Sequence, residues 1–185
     1  MATPAAARPL SPQLEQIRIQ LDAASSKANG LVRSLTRERL VQKPASGGWS
    51  VAECIAHLTL SAGEFFDKNL LDISGLPAAN GAYKADLKGR MLAWFLEPPY
   101  RMKAKALPVT VPVNLDPNKI MTDFLAMQSR LQAKLAECND VAIDQKKIAS
   151  PFNEKITYNI YSFFLITCAH ERRHLWQAEQ VIKAL

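Results

Sequence analysis

Apolar residues recur at steps of three and four along most of this chain, and this spacing constrains the fold more than any other feature. From Ser11 to about Thr36 the repeat forms one stripe, made of Leu14, Ile17, Leu21, Ala24, Ala28, Leu31 and Leu35. Such spacing is typical of a helix with one face buried against neighbours. The first segment is therefore predicted to be a long amphipathic helix.

A second helix is predicted after the break at Pro44–Gly48. The residues Ser50-Val51-Ala52-Glu53 form a capping box, in which the serine side chain and the glutamate side chain satisfy free backbone N–H groups. Trp49 lies just outside this cap, where it can pack back onto the first turn. The apolar pattern predicts that the helix continues to about Ile73.

Two more long helices are predicted in the C-terminal half. One begins at Asp116-Pro117 and reaches about Cys138, and the last runs from about Thr157 to the C-terminus, after an irregular stretch through Pro151. No segment shows a convincing strand pattern. Four long helices predict an all-α fold, specifically a four-helix bundle.

The segment between the second and third long helices is predicted to be mostly irregular. A short helix from Lys84 to Leu96 stops at Pro98-Pro99, and the stretch from Tyr100 to Pro117 carries too many prolines to be helical throughout. We expect a long crossover loop, and loops beyond about 12–15 residues are often lids or binding loops.

Composition limits the partners that we expect. The chain has 185 residues, which suits one domain at 11–185 after a flexible tail at 1–10. The net charge is +6, but lysine and arginine are scattered, so nucleic acid is not an expected partner. No run approaches the ~18 apolar residues of a membrane span.

The cysteines and the N-terminal residues indicate the cellular compartment that we expect. Cys54, Cys138 and Cys168 form no CxxC pair and no disulfide framework. The N-terminal residues lack the apolar run of a signal peptide. We therefore expect a reduced, cytoplasmic protein.

The three histidines carry the strongest indication of chemistry. His170 and His174 are four residues apart on the last helix, so their side chains share one face at a separation of about 6 Å. Two such imidazoles can bind one metal ion, and His57 from the second helix would complete a three-ligand set with positions left for water or substrate. Helical histidines are also common as surface or core residues, and spacing alone leaves that interpretation open.

Two motifs extend this interpretation. The segment GWSVAECIAHL, from Gly48 to Leu58, resembles the second-helix motif of the DinB/YfiT-like family. The segment HERRHLWQAE, from His170 to Glu179, resembles the last-helix motif of the same family. The order of elements is also similar from about Ser11 to Val181, including the proline-rich crossover.

The resemblance implies a fold, a metal and a range of activities. Family members are four-helix bundles whose three motif histidines bind zinc, nickel or a similar ion, and these positions correspond to His57, His170 and His174. Some relatives transfer or isomerise groups using low-molecular-weight thiols, and many others are labelled metal-dependent hydrolases. The implied function is a metal-dependent thiol transferase or hydrolase with a small-molecule substrate. The alternative is a non-catalytic, metal-binding, stress-associated bundle, and a homodimer is left open.

The last motif also satisfies H-E-x-x-H, the zincin pattern in which the glutamate is the general base. Zincins usually take a third ligand downstream, but few residues follow His174, and Glu179 is only five residues away on the same helix. Glu171 follows His170 directly and points about 100° away from it, so we do not assign it as the base. The zincin interpretation is therefore the weaker one.

Helical spacing places further side chains near the three histidines. On the second helix these are Cys54, Ser61 and Glu64, and on the last helix they are Asn159, Phe163, Ile166 and Gln177. Glu64 is either a proton shuttle or a solvated carboxylate, and Cys54 is either a fourth ligand or a small buried thiol.

Residues in and beside the crossover loop could line a pocket over the metal and give it a positive charge. Trp94 and Tyr100 could line a pocket over the metal. The run Arg101, Lys103 and Lys105 could attract an anionic thiol or carboxylate, or it could simply be a solvated basic loop.

Overall fold

The computed structural model describes residues 9–99 and 106–185, and in these residues the protein is mostly helical. The described chain forms six α-helices: α1 (Pro12–Arg33), α2 (Arg37–Val41), α3 (Val51–Asp67), α4 (Leu87–Leu96), α5 (Ile120–Glu137) and α6 (Ile160–Ala184). A 3-10 helix at Pro108–Thr110 lies between α4 and α5, and strands β1 (Lys147–Ser150) and β2 (Asn153–Asn159) precede α6. Within the same residues, no helix is both long and apolar enough to cross a membrane.

The four long helices bury the apolar stripes that the sequence predicts. Helices α1 and α3 each pack against both α5 and α6. The α1 stripe is buried at Leu14, Ile17, Leu21, Ala24 and Ala28. The α5 stripe is buried at Ile120, Phe124, Met127, Leu131 and Leu135. These stripes meet in the interior, where removing apolar surface from water stabilises the fold.

The predicted helix starts agree better with the structure than the predicted ends. The capping box at Ser50 is formed in both directions, with the Glu53 amide donating to Ser50 Oγ. Helix α3 stops at Asp67 rather than near Ile73, because the chain turns through a left-handed conformation at Asn69. Helix α1 ends at Arg33, before the predicted Thr36, and Thr36 instead caps α2.

The all-α prediction is wrong in one segment. Residues 147–159, expected to be irregular up to the last helix, form an antiparallel hairpin in which Ile148 pairs with Tyr158 and Lys147 pairs with Asn159. Strand β2 leads directly into α6, and the Asn159 side chain accepts a hydrogen bond from the Ser162 amide as its N-cap. The sequence shows no regular alternation here because only part of the hairpin is buried and its register is irregular at Ala149/Ser150.

Helix α4 is held against α6 and β2 by both backbone and side-chain contacts. Asp86 caps α4 through the Gly89 amide, and its second carboxylate oxygen accepts from the Asn159 amide. The Asp86 amide donates to Ser162 Oγ, so the starts of α4 and α6 are joined. Gly89 allows the close approach, since a Cβ there would meet Ser162.

The buried residues form two apolar clusters that meet near the middle of α3 and α6. One cluster contains Ala62 and Phe65 of α3 together with Phe163 and Ile166 of α6. The other contains the first turns of α3 and the end of α6, from Leu175 onward. The polar residues of α3 and α6 that could carry chemistry lie where these clusters meet.

Candidate metal centre

The structure brings the three histidines of the chain together. His57 comes from the middle of α3, and His170 and His174 come from adjacent turns of α6. One ring nitrogen from each lies within 4.8 Å of the others. The Nε2 atoms of His57 and His170 are 3.2 Å apart. The three side chains could therefore hold one metal ion, as their spacing in the sequence predicts.

Hydrogen bonds on the outer side of two rings set their protonation. Nδ1 of His57 lies 2.8 Å from the Thr110 carbonyl oxygen, and because a carbonyl can only accept, this nitrogen carries the proton. Nδ1 of His174 donates in the same way to Gln177 Oε1 at 3.0 Å. In neutral rings the Nε2 atoms then carry lone pairs, which is the form that binds a metal.

Burial keeps these imidazoles neutral. It lowers the pKa of His57, partly opposed by the Thr110 bond, and it lowers the pKa of His170 well below the usual value. Burial, with the nearby His57 and Arg173, lowers the pKa of His174 to about 3. Metals bind the deprotonated ligand, so at neutral pH the site needs no proton release to accept an ion.

The spacing of one donor pair, His57 and His170, matches that of ligands on a tetrahedral ion. Metal–nitrogen bonds of about 2.0–2.1 Å with tetrahedral angles place two ligand nitrogens roughly 3.3–3.4 Å apart. The 3.2 Å between the Nε2 atoms of His57 and His170 is close to that spacing. Three imidazoles suit zinc, nickel or copper better than magnesium or calcium.

Trp49 covers one side of the histidines. Its ring stacks on His174 at a centroid distance of 5.7 Å and lies 4.7 Å from the His57 ring. The capping box that begins α3 places it there, since Trp49 directly precedes Ser50. The prediction that Trp49 packs onto the first turn therefore understates its role, because it is also a wall of the site.

A cavity of about 940 Å³ opens beside the three histidines. Its described wall includes Ser61, Thr110, Arg173 and Gln177, with apolar side chains such as Leu107 between them. Ser61 Oγ lies 3.3 Å from His57 Nε2. Ser61 and Gln177 are thus at the site as helical spacing predicts.

Several predicted neighbours lie elsewhere. Glu64 pairs with Lys68 at 3.1 Å. Glu179, the candidate third ligand of the zincin interpretation, pairs with Lys27 at 3.0 Å. Cys54 is a buried thiol, and burial raises its pKa to about 12. The Glu64 side chain is only 16% exposed, so it is an ion-paired, largely buried carboxylate rather than a solvated one. Burial of the Cys54 side chain favours the thiol interpretation.

Three residues predicted to face the site from α6 also have other positions. Asn159 is the N-cap of α6, Phe163 is buried in the core, and Ile166 lines a second cavity described below. They lie on the expected side of the helix, but up to three turns before His170. Distance along the axis therefore separates Asn159 and Phe163 from the histidines. Ile166, one turn before His170, lines the second cavity together with it.

As predicted, Glu171 does not face the histidines. Its carboxyl is buried and accepts a hydrogen bond from Gln128 Nε2 of α5. Burial raises the pKa of Glu171 to about 8. The third imidazole comes from α3 and the motif glutamate is engaged with α5, so this arrangement differs from that of a zincin.

Two residues at the site, Thr110 and Arg173, were not among the predicted neighbours of the histidines. Thr110, in the 3-10 helix, binds His57 through its backbone, and no side-chain pattern could have shown this. Arg173 directly precedes His174, so the sequence places it near the site. Its position in the cavity wall depends on α4, because Arg173 Nη1 donates to the Phe95 carbonyl oxygen. Trp94 is about half exposed and does not line the described wall.

The basic run of Arg101, Lys103 and Lys105, with Tyr100, lies outside the described residues. Its expected role at the pocket stays a prediction. In the described parts of the chain, no carboxylate or thiol joins the three imidazoles as a fourth ligand. Three ligands and an adjoining cavity are the pattern expected of an open rather than a closed metal site.

Comparison with known proteins agrees with the family that the two motifs resemble. A family model described as the DinB superfamily matches residues 20–178, a stretch that contains Trp49 and all three histidines. No curated protein and no solved structure gives a significant match. Since the matched stretch covers most of the sequence, this chain belongs to the DinB superfamily.

Proposed function

We propose that the chain is a metal-dependent enzyme that acts on a small molecule at His57, His170 and His174, as a thiol-dependent transferase or a hydrolase. The observation that carries the proposal is the convergence of three neutral imidazoles on the wall of a large cavity. Zinc or nickel is the proposed ion. When bound, it would supply Lewis acidity that makes a water or thiol nucleophilic at neutral pH.

The residues around the histidines have separate tasks in this proposal. The Thr110 carbonyl and Gln177 hold two rings with Nε2 unprotonated, the form that binds a metal. Trp49 shields one side of the rings from water. Arg173 contributes a positive charge to the cavity wall, which favours a substrate or thiol with an anionic group.

The proposal includes the fold type. We infer a four-helix bundle of the DinB/YfiT-like type, with α1, α3, α5 and α6 as the bundle and the segment predicted at Tyr100–Pro117 as its crossover loop. The contacts of α1 and α3 with both α5 and α6 support this arrangement. We also infer one domain at 11–185. A homodimer stays a proposal that light scattering of the purified protein would test.

Metal content is the first test. Elemental analysis of untagged protein should find about one zinc or nickel ion per chain, because three imidazoles with lone pairs form a high-affinity set. The matched control is the His57→Ala protein, which should lose the ion. A folded wild-type protein that stays metal-free when zinc and nickel are added would overturn the proposal.

Thiol binding is the second test. A small thiol suits a borderline-soft ion, and the three-histidine set leaves room for it. Addition of glutathione, bacillithiol or mycothiol to cobalt-substituted protein should produce a thiolate charge-transfer band in the near ultraviolet. No band with any of them would exclude the thiol-transferase form, and hydrolysis would be the form to pursue.

The two tests together also address the non-catalytic alternative. An ion that binds tightly, yet responds to no thiol and supports no hydrolysis across an ester, amide and lactone panel, would favour a structural metal that joins α3 and α6. Thermal melts with and without the ion would then show a large stabilisation, since an ion that binds only the folded state raises its stability.

A further inference from the structure

A second, smaller cavity adjoins the candidate metal centre. It measures about 220 Å³ and lies between α3, α4, the β-hairpin and α6. We call it the apolar chamber. Its described wall shares Ser61, Leu96, Phe152 and His170 with the large cavity, so the two spaces meet at a metal-site histidine.

The chamber wall is mainly apolar and is built from four elements. Leu58, Ala62 and Phe65 come from α3, Leu92 from α4, Ile156 from β2 and Ile166 from α6. Protein interiors keep few voids larger than a water molecule. An apolar space of this size beside a polar centre is therefore more like a ligand site than a packing defect.

The charged groups of the wall limit what the chamber can hold. No lysine or arginine lies in its described wall, and Glu171 is its only carboxyl group. The Glu171 side chain is buried on Gln128. An anionic group would find no positive partner here, whereas Arg173 lies in the wall of the large cavity. The wall therefore disfavours an anionic occupant, and because it is mainly apolar it favours an uncharged one.

The volume of the chamber limits the size of the group that it can bind. An apolar protein cavity of about 150 Å³ holds one benzene molecule. At about 220 Å³, the chamber has room for a substituted phenyl ring or a branched chain of comparable size. A group of three or more fused rings would be too large for this volume.

We propose that the apolar chamber binds a neutral aromatic or branched aliphatic group of the substrate, while the substrate's polar, reacting end lies in the large cavity at the three histidines. This inference rests on the proposed function and narrows its substrate class to amphipathic small molecules. It assigns specificity to Ala62, Leu92 and Ile166, which touch the apolar group and not the metal.

Hydroxamic acids test this, because the hydroxamate head binds metals while the attached group varies. On zinc-loaded protein, calorimetry should show phenylacetohydroxamate binding at least tenfold more tightly than acetohydroxamate. Ala62→Leu adds three carbons to the chamber. It should remove most of the affinity gain of phenylacetohydroxamate over acetohydroxamate and leave the affinity for acetohydroxamate unchanged. Ala133→Leu, the same change at an exposed position of α5, should preserve the gain.

A second variant covers the case in which Ala62→Leu does not fold. Leu92→Phe enlarges the wall from α4 and should reduce the gain in the same way. Equal affinity of the two hydroxamates in the wild type, or a gain that survives both variants, would overturn the proposal.

Failure of the metal site would be visible separately. If acetohydroxamate shows no zinc-dependent binding, the proposed function fails, and benzyl alcohol then tests the chamber alone by ligand-observed NMR on metal-free protein. Binding that is lost in Ala62→Leu supports the chamber. No binding in the wild type overturns it.

Discussion

Replacement of Gly89 by alanine tests how closely α4 packs on α6. A Cβ at Gly89 would lie 2.3 Å from both Cβ and Oγ of Ser162 and 2.8 Å from Asp86 Oδ1. Carbon atoms in favourable contact are about 3.5 Å apart, so the overlap with Ser162 is about 1.2 Å. Ser162 Cβ is fixed to the α6 backbone and cannot rotate away. Helix α4 must therefore move.

The expected cost exceeds the helix-propensity gain. Overpacking costs about 1–3 kcal/mol, and an overlap with a backbone-anchored Cβ belongs at the upper end. Alanine gains about 1 kcal/mol over glycine inside a helix. The net loss is about 2 kcal/mol in the free energy of unfolding, which corresponds to a Tm about 4–8 °C lower for a chain of this size.

The control is the same substitution at Gly30 in α1. No atom lies within 4 Å of a Cβ there, so alanine should stabilise the protein by up to about 1 kcal/mol. Thermal and urea melts of both variants measure the difference. In a Ser162→Gly background, Gly89→Ala should become less costly because the clashing atoms are gone. A Gly89→Ala protein as stable as the wild type would refute this account of α4 packing.

Further predictions concern the metal centre and the thiols. His174→Ala should abolish tight metal binding but keep the metal-free melting temperature, as calorimetric titration beside a thermal melt would show; unchanged affinity would contradict the ligand assignment. Gln177→Leu should weaken metal binding by roughly 10- to 100-fold through loss of the His174 hydrogen bond, whereas Gln180→Leu on the same helix should not. Burial raises the pKa of Cys54 and Cys138 to about 12, so both stay protonated at pH 8 and should react with Ellman's reagent only after unfolding.

Local sequence was enough to predict the helices and their starts. The stripe in α1 and the capping box at Ser50 depend on residues three and four positions apart, which meet within one helix whatever surrounds it. Helix ends were less predictable, because the turn at Asn69 and the separate helix α2 carry no comparable signal. The hairpin at 147–159 was missed because its pairing has only one partly buried face.

For the candidate site, the sequence by itself determined the three histidines and the shared face of His170 and His174, together with Ser61 and Gln177 as neighbours. Only the tertiary structure decided that His57 reaches the other two, that the Thr110 carbonyl orients its ring, and that Trp49 stacks over the site. It alone also formed the apolar chamber, from residues of α3, α4, β2 and α6 that are far apart in the chain. The physical reason is range: helical periodicity relates residues within one turn, whereas cavities and contacts between elements depend on how whole helices pack.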